Sequence, residues 1–343
     1  MTYKKYFKNK TICVTGGTGS FGNYIIKKLI PYKPKLIKIF SRDEKKQDDM
    51  RHEFKNIDNL EFIIGDIRNK SSLKYALKNT NIVYNAAALK QVPSCEYNVY
   101  EAVQTNIQGV QNLIEVAIEE NVEKVISIST DKAVEPVNAM GMTKAIQERL
   151  ITTANLKSNN TIFSCVRYGN VVSSRGSVIP LFYHQICSGN NITITNTEMT
   201  RFLLTLNEAI DLVFSATISA VGGEIFVLKL KSAKIIDIAE IMLENLCQNK
   251  LKYTIIGIRP GEKIHEVLIS ETESIRTIEK DNIFIILPQI NIPNITKTYN
   301  LQEKSQKIFE YSSKNALKMT KKEIKNLLEK EGWLKKIENR YNR

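Results

Sequence analysis

The chain has 343 residues, 43% apolar and 25% charged, with a formal net charge of +13; this is enough to build a nucleotide-binding domain with a smaller lobe and to bury a core. No apolar run approaches the roughly 18–20 residues that span a bilayer, and the opening "MTYKKYFKNK" lacks the apolar stretch of a signal peptide, so a cytoplasmic protein without membrane insertion is expected. The positive excess is diffuse: the last 43 residues hold 12 Lys and Arg against 6 Asp and Glu, an interleaving that points to solvated helical faces and a pull on small anions rather than to nucleic acid.

In chain order, apolar β-rich runs occur at 11–15, 36–40, 60–64, 81–85, 124–129 and 161–168, separated by helical patterns such as 97–120 and 139–155. This alternation predicts an α/β fold with a doubly wound parallel sheet of Rossmann type over residues 1–168. From 169 to 300 the pattern loosens into short strands (191–195, 224–228, 252–257) and helices (near 206–220 and 235–247), read as a smaller α/β substrate lobe with some segments returning to the first domain. Residues 301–343 form a basic helical tail whose "TKKEIKNLLEKEGWLKKI" opens on a Thr cap. The five cysteines are scattered without CxxC spacing, so neither disulfides nor a metal site is expected.

The first run leads directly into "TGGTGSFG" and a helix. Gly16, Gly19 and Gly22 there suit a tight turn, close approach of backbone N–H groups to a pyrophosphate, and helix-to-strand packing, with Thr18, Ser20 and Phe21 in the same loop. At the end of the second run, the position where NAD enzymes carry an acidic residue holds Ser41, followed by Arg42 and, further on, Lys45. A guanidinium there matches a 2′-phosphate, so NADP is the expected cofactor. Asp66, past the third run, suits an adenine amino group and Ile67 the ring, while Ala86, Ala87 and Ala88 after the fourth let a cofactor lie close.

The stretch "STDKAVEPVNAMGMTK", residues 129–144, has the layout of a short-chain dehydrogenase/reductase active site, but Met140 stands four residues before Lys144, where a proton-transferring Tyr is usual. Together with "SRDEKKQDDMR", "AAALKQVPSCEYN", "RYGNVVSSRGSVIPLF", "MTRF" and "IRPGEKIHE", it resembles the extended short-chain dehydrogenase/reductases, and within them the inverting UDP-N-acetylglucosamine 4,6-dehydratases/5-epimerases; "EYSSKNALKMTKKEIKNLL" resembles the capsule and O-antigen branch that serves UDP-N-acetyl-L-fucosamine. That resemblance implies hydride transfer from sugar C4, elimination of water across C5 and C6, and hydride return to C6. It further implies that Asp131 is the acid at the C6 hydroxyl and Lys132 the base at C5, with Thr130 beside them. Lys144 would hold the nicotinamide ribose, and Met140 would pack against sugar or nicotinamide. Lys90, Asn170, Val178, Arg201, Arg259 and Glu262 would contact the UDP-sugar, the arginines at the diphosphate. A Lys acting as base needs its pKa lowered, by burial or by neighbouring positive charge such as Lys144 and the oxidised cofactor. The O4 proton would then pass to Asp131, Lys132 or a water held by Lys144. A homo-oligomer, up to a hexamer, is also implied. The competing readings are a sugar-nucleotide 4-epimerase or simple dehydrogenase, and a non-catalytic NADP-binding homologue.

Overall fold

The structure, a computed structural model, describes residues 2–172, 177–247, 250–300 and 307–335. The six apolar runs form strands within a residue of their expected limits: β1 (Thr11–Thr15), β2 (Leu36–Ser41), β3 (Leu60–Ile64), β4 (Ile82–Asn85), β5 (Lys124–Thr130) and β6 (Ile162–Tyr168). Helices α1 (Tyr3–Phe7), α2 (Ser20–Leu29), α3 (Glu44–Glu53), α4 (Lys70–Leu77), α5 (Val92–Tyr97), α6 (Val99–Val103), α7 (Gly109–Glu119) and α8 (Ala139–Ala154) lie before and between them. Several start on the side chains that satisfy free N–H groups: Asp43 caps α3, Asn69 caps α4 and Asn138 caps α8.

The strands β1 to β6 pair in parallel in the order 3-2-1-4-5-6, which is the doubly wound sheet expected from the alternation. The later chain supplies β7 (Asn170–Val171), α9 (Val178–Cys187), β8 (Ile192–Ile194), β9 (Thr200–Leu204), α10 (Leu206–Ser219), β10 (Ile225–Leu228), β11 (Ser232–Lys234) and α11 (Ile235–Cys247). It continues with β12 (Tyr253–Ile255), β13 (Val267–Ile269), α12 (Glu271–Ser274), β14 (Thr277–Lys280), β15 (Ile283–Ile286), α13 (Pro293–Thr298), β16 (Tyr311–Ser312) and α14 (Lys321–Lys330). Of these, β10 joins β6 in parallel and β15 and β14 follow antiparallel, extending the main sheet to nine strands. The remaining strands form small sheets, β11-β9-β7, β12-β8 and β13-β16.

Two apolar cores result. The larger fills both faces of the main sheet. The smaller gathers α9, β8 and α11, and Ile324 and Leu328 of α14 bury against it, so the amphipathic tail helix is docked rather than free. Thr320 caps that helix in a reciprocal box with Glu323, as "TKKE" predicts; the rest of the expected tail, at 301–306 and 336–343, falls outside the described residues. The helical stretch expected over 97–120 forms from Val99 to Glu119 and carries a π-helical segment at Gln104–Gln108. There the buried Asn106 side chain bonds both the N–H and the carbonyl of Leu89 and the Thr143 hydroxyl, tying the chain after β4 to α8.

A buried ion network backs the end of β5. Ser129 donates to Glu148 at 2.6 Å, Glu148 takes two bonds from Arg167 at 2.9 and 2.6 Å, and Arg167 also bonds Glu273 at 2.8 and 2.9 Å and the Leu268 carbonyl. Arg167 is 1% exposed, so its loss strands two carboxylates in the core. Arg167→Met is therefore expected to lower the free energy of urea unfolding by about 3–5 kcal/mol, and a change under about 1 kcal/mol would show that the network is dispensable.

Candidate active site

The loop after β1 closes tightly at the carboxyl edge of the sheet. Gly16 has φ +65, and a Cβ there would meet the Ala86 and Ala87 backbone at 2.9 Å; a Cβ at Gly22 would meet Gly16 and Gly17 at 2.5–2.6 Å. These contacts leave no room for side chains and open the N-terminus of α2, at Ser20, to an anion. The loop thus fits the diphosphate of a dinucleotide. At its outer end the Thr18 and Ser41 hydroxyls are 2.7 Å apart. The Arg42 side chain is 52% exposed and approaches Asp66 at 3.4 Å, so its fork faces outward beside the carboxylate. Burial alone would raise the Asp66 pKa, but bonds from the Arg68 side chain and N–H, and the charge of Arg42, together hold it below its usual range. Asp66 is thus an anionic acceptor. Lys45 pairs with Asp49 on its own helix, Ile67 is buried in the core, and the Ala87 N–H donates to Thr15.

A cavity of about 400 Å³ continues from this loop between the sheet edge and the smaller lobe. Ser20, Phe21, Ala86 and Ala88 line its inner end, and Phe21 stacks on Tyr168 with ring centroids 6.5 Å apart. Thr130, Asp131, Lys132, Met140 and Lys144 form one wall; Lys90, Asn170, Val178, Arg201, Arg259 and Glu262 are also in the lining. The predicted catalytic and substrate residues therefore converge on one space. Gly16, Thr18, Gly19, Gly22, Ser41, Arg42, Lys45, Asp66, Ile67 and Ala87 lie outside that lining, on the loop and outer edge beyond it.

At the centre, Asp131 and Lys132 sit in a 3-10 turn that ends β5. Asp131 is 1% exposed; its Oδ1 accepts from the Thr130 hydroxyl at 2.8 Å and from Lys132 Nζ at 3.1 Å, while its buried Oδ2 has no partner. Burial dominates and raises its pKa despite the nearby ammonium, so Asp131 is disposed to carry a proton at one oxygen. The Lys132 ammonium also contacts Glu266 at 2.9 Å. Burial by itself lowers the Lys132 pKa, but the two carboxylates more than reverse this, and the net shift is upward. The lowered pKa that a Lys acting as base needs is not met by these neighbours: carboxylates, rather than cations, lie nearest to Lys132. Glu266 is 1% exposed and was assigned no role from the sequence, although it ends the motif "IRPGEKIHE".

Lys144 is 6% exposed, donates to the Ile128 carbonyl and to Gln147 Oε1, both at 2.9 Å, and is brought down to about 8 by burial. Met140 is 3% exposed in a small cluster with Cys95 and Ala102. Two further residues set this wall. A Cβ at Gly141 would lie 2.2 Å from the Lys132 carbonyl, so only glycine lets α8 approach the Asp131–Lys132 turn; Asn138 caps α8 through Gly141 N–H and donates its amide to the Gly261 carbonyl at 2.8 Å. Arg201 spends its guanidinium on the carbonyls of Thr200, Ile264 and Lys263 and lies 3.7 Å from Glu266, which fixes the 263–266 segment. Arg259 is exposed and forms no ion pair among the described residues, and Glu262 accepts from its N–H. Asn170 Oδ1 is buried without a partner. Lys90 is exposed at the rim. Among the described residues no group of His, Cys, Asp and Glu is arranged to hold a metal ion, and no helix is long and apolar enough to cross a membrane.

Strand order, glycine loop and the Lys on α8 define the class, an extended short-chain dehydrogenase/reductase fold. The chain belongs to the polysaccharide biosynthesis protein family, whose profile matches residues 12–288. It is 45% identical over 338 residues to an uncharacterized membrane protein of Methanocaldococcus jannaschii, covering 96% of this chain and 98% of that one. It is 44% identical over 319 residues to the UDP-N-acetylglucosamine 4,6-dehydratase (inverting) of Campylobacter jejuni (90% and 94%), and 43% identical over 329 residues to a UDP-glucose 4-epimerase of Rickettsia rickettsii (94% and 96%). The X-ray structure of Pen from Bacillus thuringiensis superposes with a TM-score of 0.87 at 40% identity, covering 95% of this chain and 99% of that one.

The Lys144 shift has a measurable sign. Its folded-state pKa of about 8 lies below the ordinary 10.5, so between these values the unfolded chain binds more protons and stability rises with pH. Relative to Lys144→Met, wild type should therefore gain up to about 3 kcal/mol of unfolding free energy between pH 7 and 10.5; parallel pH profiles would refute the shift.

Proposed function

We propose that the chain is a sugar-nucleotide enzyme that removes water from UDP-N-acetylglucosamine by NADP-dependent, inverting 4,6-dehydration with epimerisation at C5, giving a 4-keto-6-deoxy sugar for surface polysaccharide such as capsule or O-antigen. The observation that carries this reading is the pairing of buried Asp131 with half-buried Lys132 at the tip of β5, on the cavity wall beside Lys144. Loss of a hydroxyl with an adjacent C–H proton needs an acid and a base within reach of neighbouring carbons. Simple hydride transfer at C4 needs a base for the O4 proton alone, and no acid–base pair at C5 and C6.

A nicotinamide dinucleotide in the glycine loop would supply the hydride acceptor and donor. Gly16, Gly19 and Gly22 would admit its diphosphate, Arg42 would meet a 2′-phosphate, Asp66 would take the adenine amino group, and Lys144 would bond the ribose next to the ring. In the cavity, Asn170, Arg259 and Glu262 would hold the nucleotide end of the substrate, and Lys90 and Val178 its sugar end. Asp131, whose pKa burial raises, would give a proton to the departing C6 hydroxyl, with Thr130 fixing its other oxygen; Lys132 would receive the C5 proton. Met140, unable to transfer protons, would serve as an apolar wall. The protein would work in the cytoplasm as a homo-oligomer.

A 4-epimerase is the second reading, favoured by the name of the Rickettsia relative. Product mass separates the two. Incubation with UDP-N-acetylglucosamine should yield a product lighter by one water, and an isomer of unchanged mass would establish the epimerase instead. Within the first reading, Lys132→Ala should lower turnover by about a hundredfold or more, whereas Met140→Tyr should keep the rate within about tenfold of wild type; the opposite ranking would overturn the assignment. For the cofactor, Arg42→Ala should weaken NADP binding about tenfold or more while leaving NAD binding within about twofold. Equal losses for both would remove Arg42 from 2′-phosphate recognition.

A further inference from the structure

The Lys144 nitrogen borders the cavity with most of its donors already committed: it gives one N–H to the Ile128 carbonyl and one to Gln147 Oε1, each at 2.9 Å. An ammonium has three N–H donors, so one is left for the cavity. Gln147 stands one turn further along α8, fully buried and set back from the cavity lining. We propose that Gln147 is a positioning residue for the cofactor, fixing the Lys144 nitrogen so that its remaining N–H meets the ribose next to the nicotinamide ring. The assignment rests on the reading of Lys144 as that ribose's ligand.

The Gln147 amide has a single orientation open to it. Its Nε2 donates to the Ser127 hydroxyl at 2.7 Å and to the Ile128 carbonyl at 3.2 Å, and because a carbonyl only accepts, the Oε1 end must face Lys144. A hydrogen-bonded chain through the sheet interior holds it there. The Ala87 N–H donates to the Thr15 hydroxyl at 3.3 Å, that hydroxyl donates to Asn85 Oδ1 at 2.7 Å, and Asn85 Nδ2 donates to the same Ser127 hydroxyl at 3.1 Å. Thr15, Asn85, Ser127 and Gln147 are each 0–1% exposed, so water does not compete for these bonds. One end of the chain is the backbone after β4, packed against Gly16 of the glycine loop; the other is Lys144. Two walls of the expected cofactor site thus share one rigid connection.

The acceptor that Gln147 supplies is neutral. The titratable groups acting on Lys144 are Cys165 on β6 and Glu148 on α8, with Asp131 and Lys132 on the same cavity wall. Glu148 spends its carboxylate on Ser129 and on Arg167. Gln147 therefore orients the nitrogen without adding a negative charge beside it, and burial brings Lys144 down to about 8. A carboxylate at position 147 would hold the ammonium more firmly. An apolar side chain there would leave a buried N–H unanswered, which favours the amine.

Gln147→Met keeps the length of the side chain and removes its oxygen. Titrated with NADPH at pH 7 and followed by nucleotide fluorescence, it should bind about tenfold more weakly than wild type, and NADH should lose as much, because the ribose next to the ring is common to both. In a Lys144→Met background the same substitution should change binding by less than about twofold. The pH above which binding weakens, about 8 in wild type, should move down in Gln147→Met and up in Gln147→Glu; the cofactor's own phosphates titrate alike in all three. Should Gln147→Met fail to fold, Gln147→Glu carries the test. An equal loss in both backgrounds marks a purely structural side chain and overturns the proposal, as does an unchanged midpoint in either variant that folds. If wild type binds neither dinucleotide, the cofactor reading fails by itself, and the hold of Gln147 on Lys144 is read from stability. The gain of unfolding free energy between pH 7 and 10.5, relative to the matching Lys144→Met protein, should then be larger in Gln147→Met than in wild type; an equal gain shows that Gln147 does not act on Lys144.

Discussion

One ammonium held between two buried carboxylates is the constraint on which the site depends. Isolated carboxylates as enclosed as Asp131 and Glu266 are costly, and each is tolerated here because Lys132 lies between them and Arg201 stands behind. Assembling these charges requires three remote segments to meet: the tip of β5, β9 with Arg201, and the 259–266 segment. The contacts on which the proposed proton chemistry would draw therefore also tie the smaller lobe to the sheet. On that proposal, stability and catalysis would share their residues.

The sheet topology makes this meeting place unavoidable. In an open doubly wound sheet the carboxyl ends of the strands form a crevice where the order reverses, here between β1 and β4. The glycine loop after β1, the alanines after β4, the Asp131–Lys132 turn after β5 and Tyr168 at the end of β6 all border that edge. Gly141 lets α8 press against the turn, which sets Lys144 beside it, while Arg167, Glu148 and Glu273 hold Ser129 from below. Asn138 reaches across to Gly261, linking the cavity wall formed by α8 to the turn that carries Arg259 and Glu262.

Much of this was legible because it is local. The six parallel strands carry uninterrupted β-rich runs, and their limits were readable to a residue; the helix at 235–247 and the Thr320 cap were equally plain. The glycine loop could be read because its function follows from missing side chains. What escaped was non-local. The π-helical segment within the 97–120 stretch coincides with Asn106 bonding Leu89 and Thr143, and nothing in the periodicity of those residues records it. That 224–228 pairs with β6, and that 277–286 extends the same sheet, depends on pairings across dozens of residues. Glu266 is 135 positions from Asp131, so only the folded chain discloses that Lys132 has two carboxylate neighbours and a raised, not lowered, pKa. The motif that ends on Glu266 marked the segment without marking the role.

Met140 then takes a different meaning from a lost Tyr. It fills an apolar pocket with Cys95 and Ala102 beside a wall already supplied with two carboxyls and two amines, so the site does not lack proton-transferring groups at that point. In the proposed reaction the weight of the chemistry rests on C5, where an epimerase acting through C4 alone exchanges nothing with solvent. Running the reaction on UDP-N-acetylglucosamine in D2O and reading the product by proton NMR is the most direct test. The account predicts a single deuterium at sugar C5, with loss of its proton signal; a product with full protium at C5 would contradict it.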